Sequence, residues 1–63
     1  MIYWIVTVED TGHVYKSAVR DDAEVVFKEN MKYGHEVCMY RQNADGSVDF
    51  IKRYSGAFTV RDK

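Results

Sequence analysis

Sixty-three residues, 46% of them apolar, with one Trp, five Tyr, three Phe and no proline, describe one folded domain and not a disordered tail. A chain this short buries only about 60% of its unfolded surface, so every core side chain matters. The net charge of −1 argues against a general polyanion binder. The lone cysteine, Cys38, has no internal disulfide partner and points to a reducing, cytoplasmic setting.

The first apolar run is too short for a signal segment, and no run approaches the roughly 20 residues of a membrane span. Charge is split along the chain. Residues 1–31 carry three bases against six acids, and residues 32–63 six bases against four.

The run from Ile2 to Val8 is dense in β-branched and aromatic residues and reads as a strand. Ile2, Trp4, Val6 and Val8 share one face, with Tyr3, Ile5 and Thr7 on the other. Neither face is polar enough to lie wholly in water, which is the pattern of an interior strand. Glu9-Asp10-Thr11-Gly12 reads as the turn of a hairpin, with Gly12 taking a positive φ. His13 to Val19 is then the returning strand, with Tyr15, Ser17 and Val19 on one face and Val14, Lys16 and Ala18 on the other. Its lysine suits an edge.

Arg20 to Glu24 opens a helix, with Asp21 expected as N-cap and Glu24 completing a capping box. Ala23, Val26, Phe27 and Met31 form its apolar stripe, Glu24 and Lys28 an outer pair, and Gly34 its stop. His35 to Arg41 is the third strand, Gln42 to Gly46 a hairpin loop, and Ser47 to Tyr54 the fourth strand. After Ser55-Gly56, Ala57 to Arg61 reads equally as a short fifth strand or as a tail across the sheet.

The order β-β-α-β-β implies an α+β fold, with a four-stranded antiparallel sheet in the spatial order 2-1-3-4 and the helix on one face. The expected core is Ile2, Trp4, Val6, Val8, Val26, Phe27, Met31, Val37, Met39, Val48 and Phe50. The other face is expected to gather Tyr3, Ile5, Tyr15, Cys38, Tyr40, Ile51 and Arg53. Three tyrosines beside an arginine suggest a stacking platform for single-stranded nucleic acid. The same face also suits dimerisation, the C-terminal tail or a partner protein.

His13, His35 and Cys38 follow no zinc spacing, so no metal or other cofactor is expected. The acid pairs Glu9/Asp10 and Asp21/Asp22 read as turn and helix-start residues before they read as a general acid and base, and no enzyme is expected. Glu9 and Asp10, with the edge strands, instead suit charge-guided docking onto a partner.

Trp4, Thr7-Val8-Glu9, His13, Tyr15, the helix opening Asp21-Asp22-Ala23, and Gly34-His35-Glu36-Val37 with Arg41 resemble the small podophage proteins that inhibit bacterial RNA polymerase. The resemblance covers about Trp4 to Arg41. It implies a non-catalytic protein that acts in the host cytoplasm by occupying the jaw and cleft of the polymerase. That family carries two contact arginines on the strand after its helix; Arg41 matches one, and Met39 stands at the other. This chain also adds a fourth strand and a tail.

The first expectation is therefore a phage-type protein that binds and inhibits a bacterial host enzyme, RNA polymerase or another nucleic-acid or defence enzyme. Tyr3, Tyr15, Tyr40, Arg41, Arg53, Glu9 and Asp10 are its candidate contacts. The alternatives are a nucleic-acid-binding module using Tyr3, Tyr15, Tyr40 and Arg53, and a self-associating structural subunit, for instance a homodimer.

Overall fold

A computed structural model describes residues 1–55. The proposed fifth strand or tail at 57–61 lies outside the described residues. Strands β1 (Tyr3–Val8) and β2 (His13–Ser17), helix α1 (Arg20–Lys32), and strands β3 (Val37–Gln42) and β4 (Val48–Tyr54) follow in that order. The sheet runs β2-β1-β3-β4 with every pairing antiparallel, which is the expected α+β arrangement.

In the first hairpin Gly12 takes φ 77° and donates its N–H to the Val8 carbonyl at 2.8 Å. The ladder between β1 and β3 continues one step past β1, where the Glu9 N–H donates to the Glu36 carbonyl at 2.9 Å.

The helix starts differently from the expected capping box. Val19 is its N-cap, in extended conformation and without a side-chain cap, and Asp21 and Asp22 lie inside the first turn, where their charge suits the helix dipole. Glu24 has a stronger attachment elsewhere: it accepts from Lys52 Nζ at 2.7 Å and lies 3.5 Å from Arg20 Nε. The helix end is as expected. Gly34 sits at φ 78°, a region that penalises any side chain. Its N–H donates to Met31, and the next N–H, from His35, reaches Asn30; this pair of bonds is a Schellman motif.

The core is smaller than expected and lies between the helix and one sheet face. Val6, Val8, Ala23, Phe27, Val37 and Met39 are buried, with Trp4, Val26, Met31, Ile51 and Tyr54 packed against them. Three expected core residues are not there: Ile2 is 40%, Val48 52% and Phe50 59% exposed. For the last two the cause is a β-bulge. Met39 pairs with Lys52 but Tyr40 pairs with Phe50, so Ile51 is the extra residue and the alternation of β4 reverses across it. Tyr54 and Ile51 turn to the helix side, while Phe50 and Val48 turn away from it. For Ile2, the position ahead of the first paired residue, Tyr3, leaves it outside the sheet.

Candidate functional site: an uncovered sheet face

The helix covers one face, and among the described residues no element covers the other. Registers decide who shares it. Tyr3, Ile5 and Thr7 of β1 stand opposite Gln42, Tyr40 and Cys38 of β3. Val14 and Lys16 of β2 stand opposite Thr7 and Ile5. Val48, Phe50 and Arg53 of β4 stand opposite Gln42, Tyr40 and Cys38. The middle row is therefore Lys16, Ile5, Tyr40 and Phe50, with the Tyr40 and Phe50 rings edge to face at 5.7 Å, a favoured aromatic geometry.

The candidate contacts predicted from sequence divide three ways. Tyr3, Tyr40 and Arg53 lie together on this face, as expected, and Glu9 stands at its rim. Tyr15 does not join them: it pairs opposite Val6, so it points to the helix side, and the expectation that placed it with Tyr3 is corrected. The four-residue turn Glu9–Gly12 is the reason, because an even loop pairs odd positions with even ones across a hairpin. Ile51 is likewise moved to the helix side by the bulge. Arg41 stands opposite Trp4 and Asp49, again on the helix side, near the β3–β4 loop. It donates from Nε to Asn43 Oδ1 at 3.1 Å and pairs with Asp49 at 3.6 Å.

Asp10 is engaged within the molecule. One carboxylate oxygen accepts the Glu36 N–H at 3.1 Å, and the other lies 3.3 Å from His35 Nδ1. It thereby ties the first turn to the start of β3. Those contacts, the backbone bond foremost, hold its carboxyl below the ordinary range.

The charges of the open face are also largely matched. Arg53 Nη2 donates to Glu36 at 3.2 Å. Its guanidinium is raised above its ordinary range first by that bond and then by the charge of Glu9. Lys16 Nζ lies 4.6 Å from the centre of the Tyr3 ring, a cation–π contact. Cys38 is buried and donates from Sγ to Glu9 Oε2 at 3.5 Å. Burial first, and the Glu9 carboxylate second, push its thiol up. The Tyr40 hydroxyl is raised too, chiefly by charge repulsion from the Cys38 sulfur. A thiol and phenol that both resist ionisation make poor nucleophiles at neutral pH.

The face thus has an apolar middle and a charged rim whose signs cancel. Sequence reasoning missed Val14, Val48 and Phe50 here. The turn length signals Val14; nothing in the sequence marks the bulge that delivers the other two. Among the described residues, no group of three or more His, Cys, Asp or Glu is placed to hold a metal ion, and no helix is long and apolar enough to cross a membrane. Compared with known proteins, the chain matches no family model, no curated protein and no solved structure.

Proposed function

We propose that this chain is a non-catalytic docking module that sets the open face of its sheet against another protein. One observation carries the reading: Ile5, Tyr40, Phe50, Val48 and Val14 form an apolar surface that no described element covers. Such a patch, rimmed by polar groups, marks an interaction site more often than bare surface. Phe50 and Tyr40 are its natural anchors, since aromatic side chains at the middle of an interface carry most of its energy.

Nucleic acid is the weaker reading. Stacking on Tyr3, Tyr40 and Phe50 would suit bases, but phosphates need free cations nearby. Both bases on this face are engaged, Arg53 by Glu36 and Lys16 by the Tyr3 ring.

The resemblance to podophage polymerase inhibitors supplies the candidate partner: a bacterial host enzyme, with RNA polymerase first, blocked by occupancy in the host cytoplasm. Met39, at one of that family's two contact positions, is fully buried, and Arg41, at the other, is paired with Asp49. Contact through the open face and not through the β3 arginine is therefore the version argued for this chain.

The test is capture from bacterial lysate with the tagged chain, in nuclease and high salt. A stoichiometric protein that is lost with Phe50→Glu and kept with Arg41→Ala supports the reading, and inhibition of transcription by the captured complex would identify polymerase. Binding of single-stranded DNA or RNA with steep salt dependence, weakened by Tyr40→Ala, would replace it.

A further inference from the structure

Both histidines of the chain bond to the first hairpin turn, one from each side. His13, at the start of β2, has Nδ1 2.9 Å from the Thr11 hydroxyl, and its backbone N–H donates to the same oxygen at 3.3 Å. His35, just ahead of β3, has Nδ1 3.3 Å from Asp10 Oδ2. The other oxygen of that carboxylate accepts the Glu36 N–H at 3.1 Å. The turn is thus tied to β2 through a hydroxyl and to the start of β3 through a carboxylate.

The two ties answer differently to a proton. Histidine ordinarily changes charge between about pH 5 and 8. At His13 the partner is a neutral hydroxyl, which donates to a bare ring nitrogen or accepts from a protonated one, so the contact survives either way. At His35 the partner is an anion. The Glu36 N–H first, and His35 after it, hold the Asp10 carboxyl below its ordinary value of 3.8, so it stays charged through this range. A proton on the His35 ring then makes the contact a charge-assisted bond.

We infer that the first turn works as a pH-sensitive latch on the sheet: it closes on the start of β3 when His35 is protonated and loosens when the ring is neutral.

The surroundings of His35 favour the same sign. From the turn it meets Asp10, with Glu9 next in sequence. From the helix it meets the C-terminal end, where the His35 N–H bonds the Asn30 carbonyl at 3.2 Å, and a helix C-terminus favours a cation. That end carries Lys32, the base of the last turn, and Tyr33, whose ring centre is 6.2 Å from that of His35. The neighbouring Glu36 carboxylate is taken up by Arg53 and Ser55. Among the described residues, Asp10 is therefore the anion bonded to the ring.

The latch also reaches the rim of the open face. The Glu9 N–H bonds the Glu36 carbonyl at 2.9 Å, and Glu9 Oε2 accepts from the Cys38 thiol, so closing the turn steadies that margin. This goes beyond the docking reading and does not depend on it, because the contact lies within the chain.

NMR of the full chain from about pH 8 to about pH 5.5 tests it. Ring signals report the protonation of each histidine. Protection of the Glu36 amide against hydrogen exchange, taken relative to the unstructured rate at each pH, reports the latch. Protection is expected to rise about twofold to fivefold as His35 titrates, the range of an exposed ion pair. Asp10→Asn keeps an oxygen for the Glu36 N–H and should abolish the rise. His35→Gln should abolish it as well, and His13→Gln should retain it. Asp10 and His13 are exposed and His35 half-buried, so the far-UV spectrum should be unchanged in all three.

Protection that stays level through the titration of His35 overturns the inference, as does a rise that survives Asp10→Asn or one that disappears only with His13→Gln. Capture of a partner protein is a separate measurement, so failure of the latch and failure of the docking reading are told apart.

Discussion

The two faces of the sheet are built from the same four strands by alternate residues, and both are apolar. On one, Val6, Val8, Val37 and Met39 meet Ala23 and Phe27 of the helix and are buried. On the other, Ile5, Tyr40 and Phe50 have similar chemistry and no described cover. Residue type does not separate them. What does is where the described helix lands, together with Lys52, whose ammonium lies 4.8 Å from the Phe27 ring and bonds Glu24, closing the covered side. The open side has its charges at the margin instead. One face holds the fold together, and the other has no cover among the described residues.

The sharpest way to break this contrast is Met39→Ala. Met39 is fully buried, and truncating such a residue costs about 2–5 kcal/mol, comparable to the whole stability of a domain this small. Chemical denaturation followed by circular dichroism should show a chain largely unfolded at room temperature. Retention of a native-like midpoint would mean that the covered face is not the core.

Gly34→Ala acts on the same face at one remove, through the end of the helix. A side chain in the left-handed region costs about 1–2 kcal/mol, read as a lower thermal midpoint with unchanged sheet register.

The Glu24–Lys52 pair is smaller. Both side chains are partly exposed, and such pairs contribute about 1 kcal/mol or less. Lys52 first, and Arg20 behind it, hold the Glu24 carboxyl below its ordinary value of 4.5. A carboxyl depressed in the folded state stabilises above its ordinary value and loses that contribution as pH falls through the folded value. Asp10, ordinarily near 3.8, is depressed for its own reasons and adds in the same direction. The thermal midpoint should hold from neutral pH down to the range of these ordinary values and fall below it, and Glu24→Gln should flatten part of that fall.

Smallest in stability is Phe50→Ser on the open face, expected within about 0.5 kcal/mol of wild type. On the proposed docking reading, its effect is read in partner capture, which should weaken. A large stability loss would show that the face is covered from within the chain.

Most of the architecture is legible in the sequence because it depends on local signals that agree. The β1 run, the Gly12 turn, the Ala23–Val26–Phe27–Met31 stripe and the Gly34 stop each specify their element, and the antiparallel order 2-1-3-4 follows from them. The helix start is less legible: Asp21 and Glu24 look like a capping box, but Glu24 has a tertiary partner in Lys52 that no local pattern reveals. The candidate site is half legible. Tyr3, Tyr40 and Arg53 are placed correctly by strand parity. Tyr15 is misplaced although the four residues of the first turn contain the correction, since loop length alone fixes which parity faces which. Phe50 and Val48 depend on a bulge opposite Met39 and Tyr40, at a position where β4 has neither Gly nor Pro to announce a break.

That bulge also shapes one edge of the sheet. A sheet with a bare apolar face and two outer strands is a candidate for endless lateral growth, each strand templating the next. In the described sheet one outer strand, β4, is kinked at Ile51, and the other, β2, carries Lys16. Both are known obstacles to strand addition. Both outer strands of the described sheet are thereby poor templates for a further strand, which leaves its broad side as the surface a partner could meet.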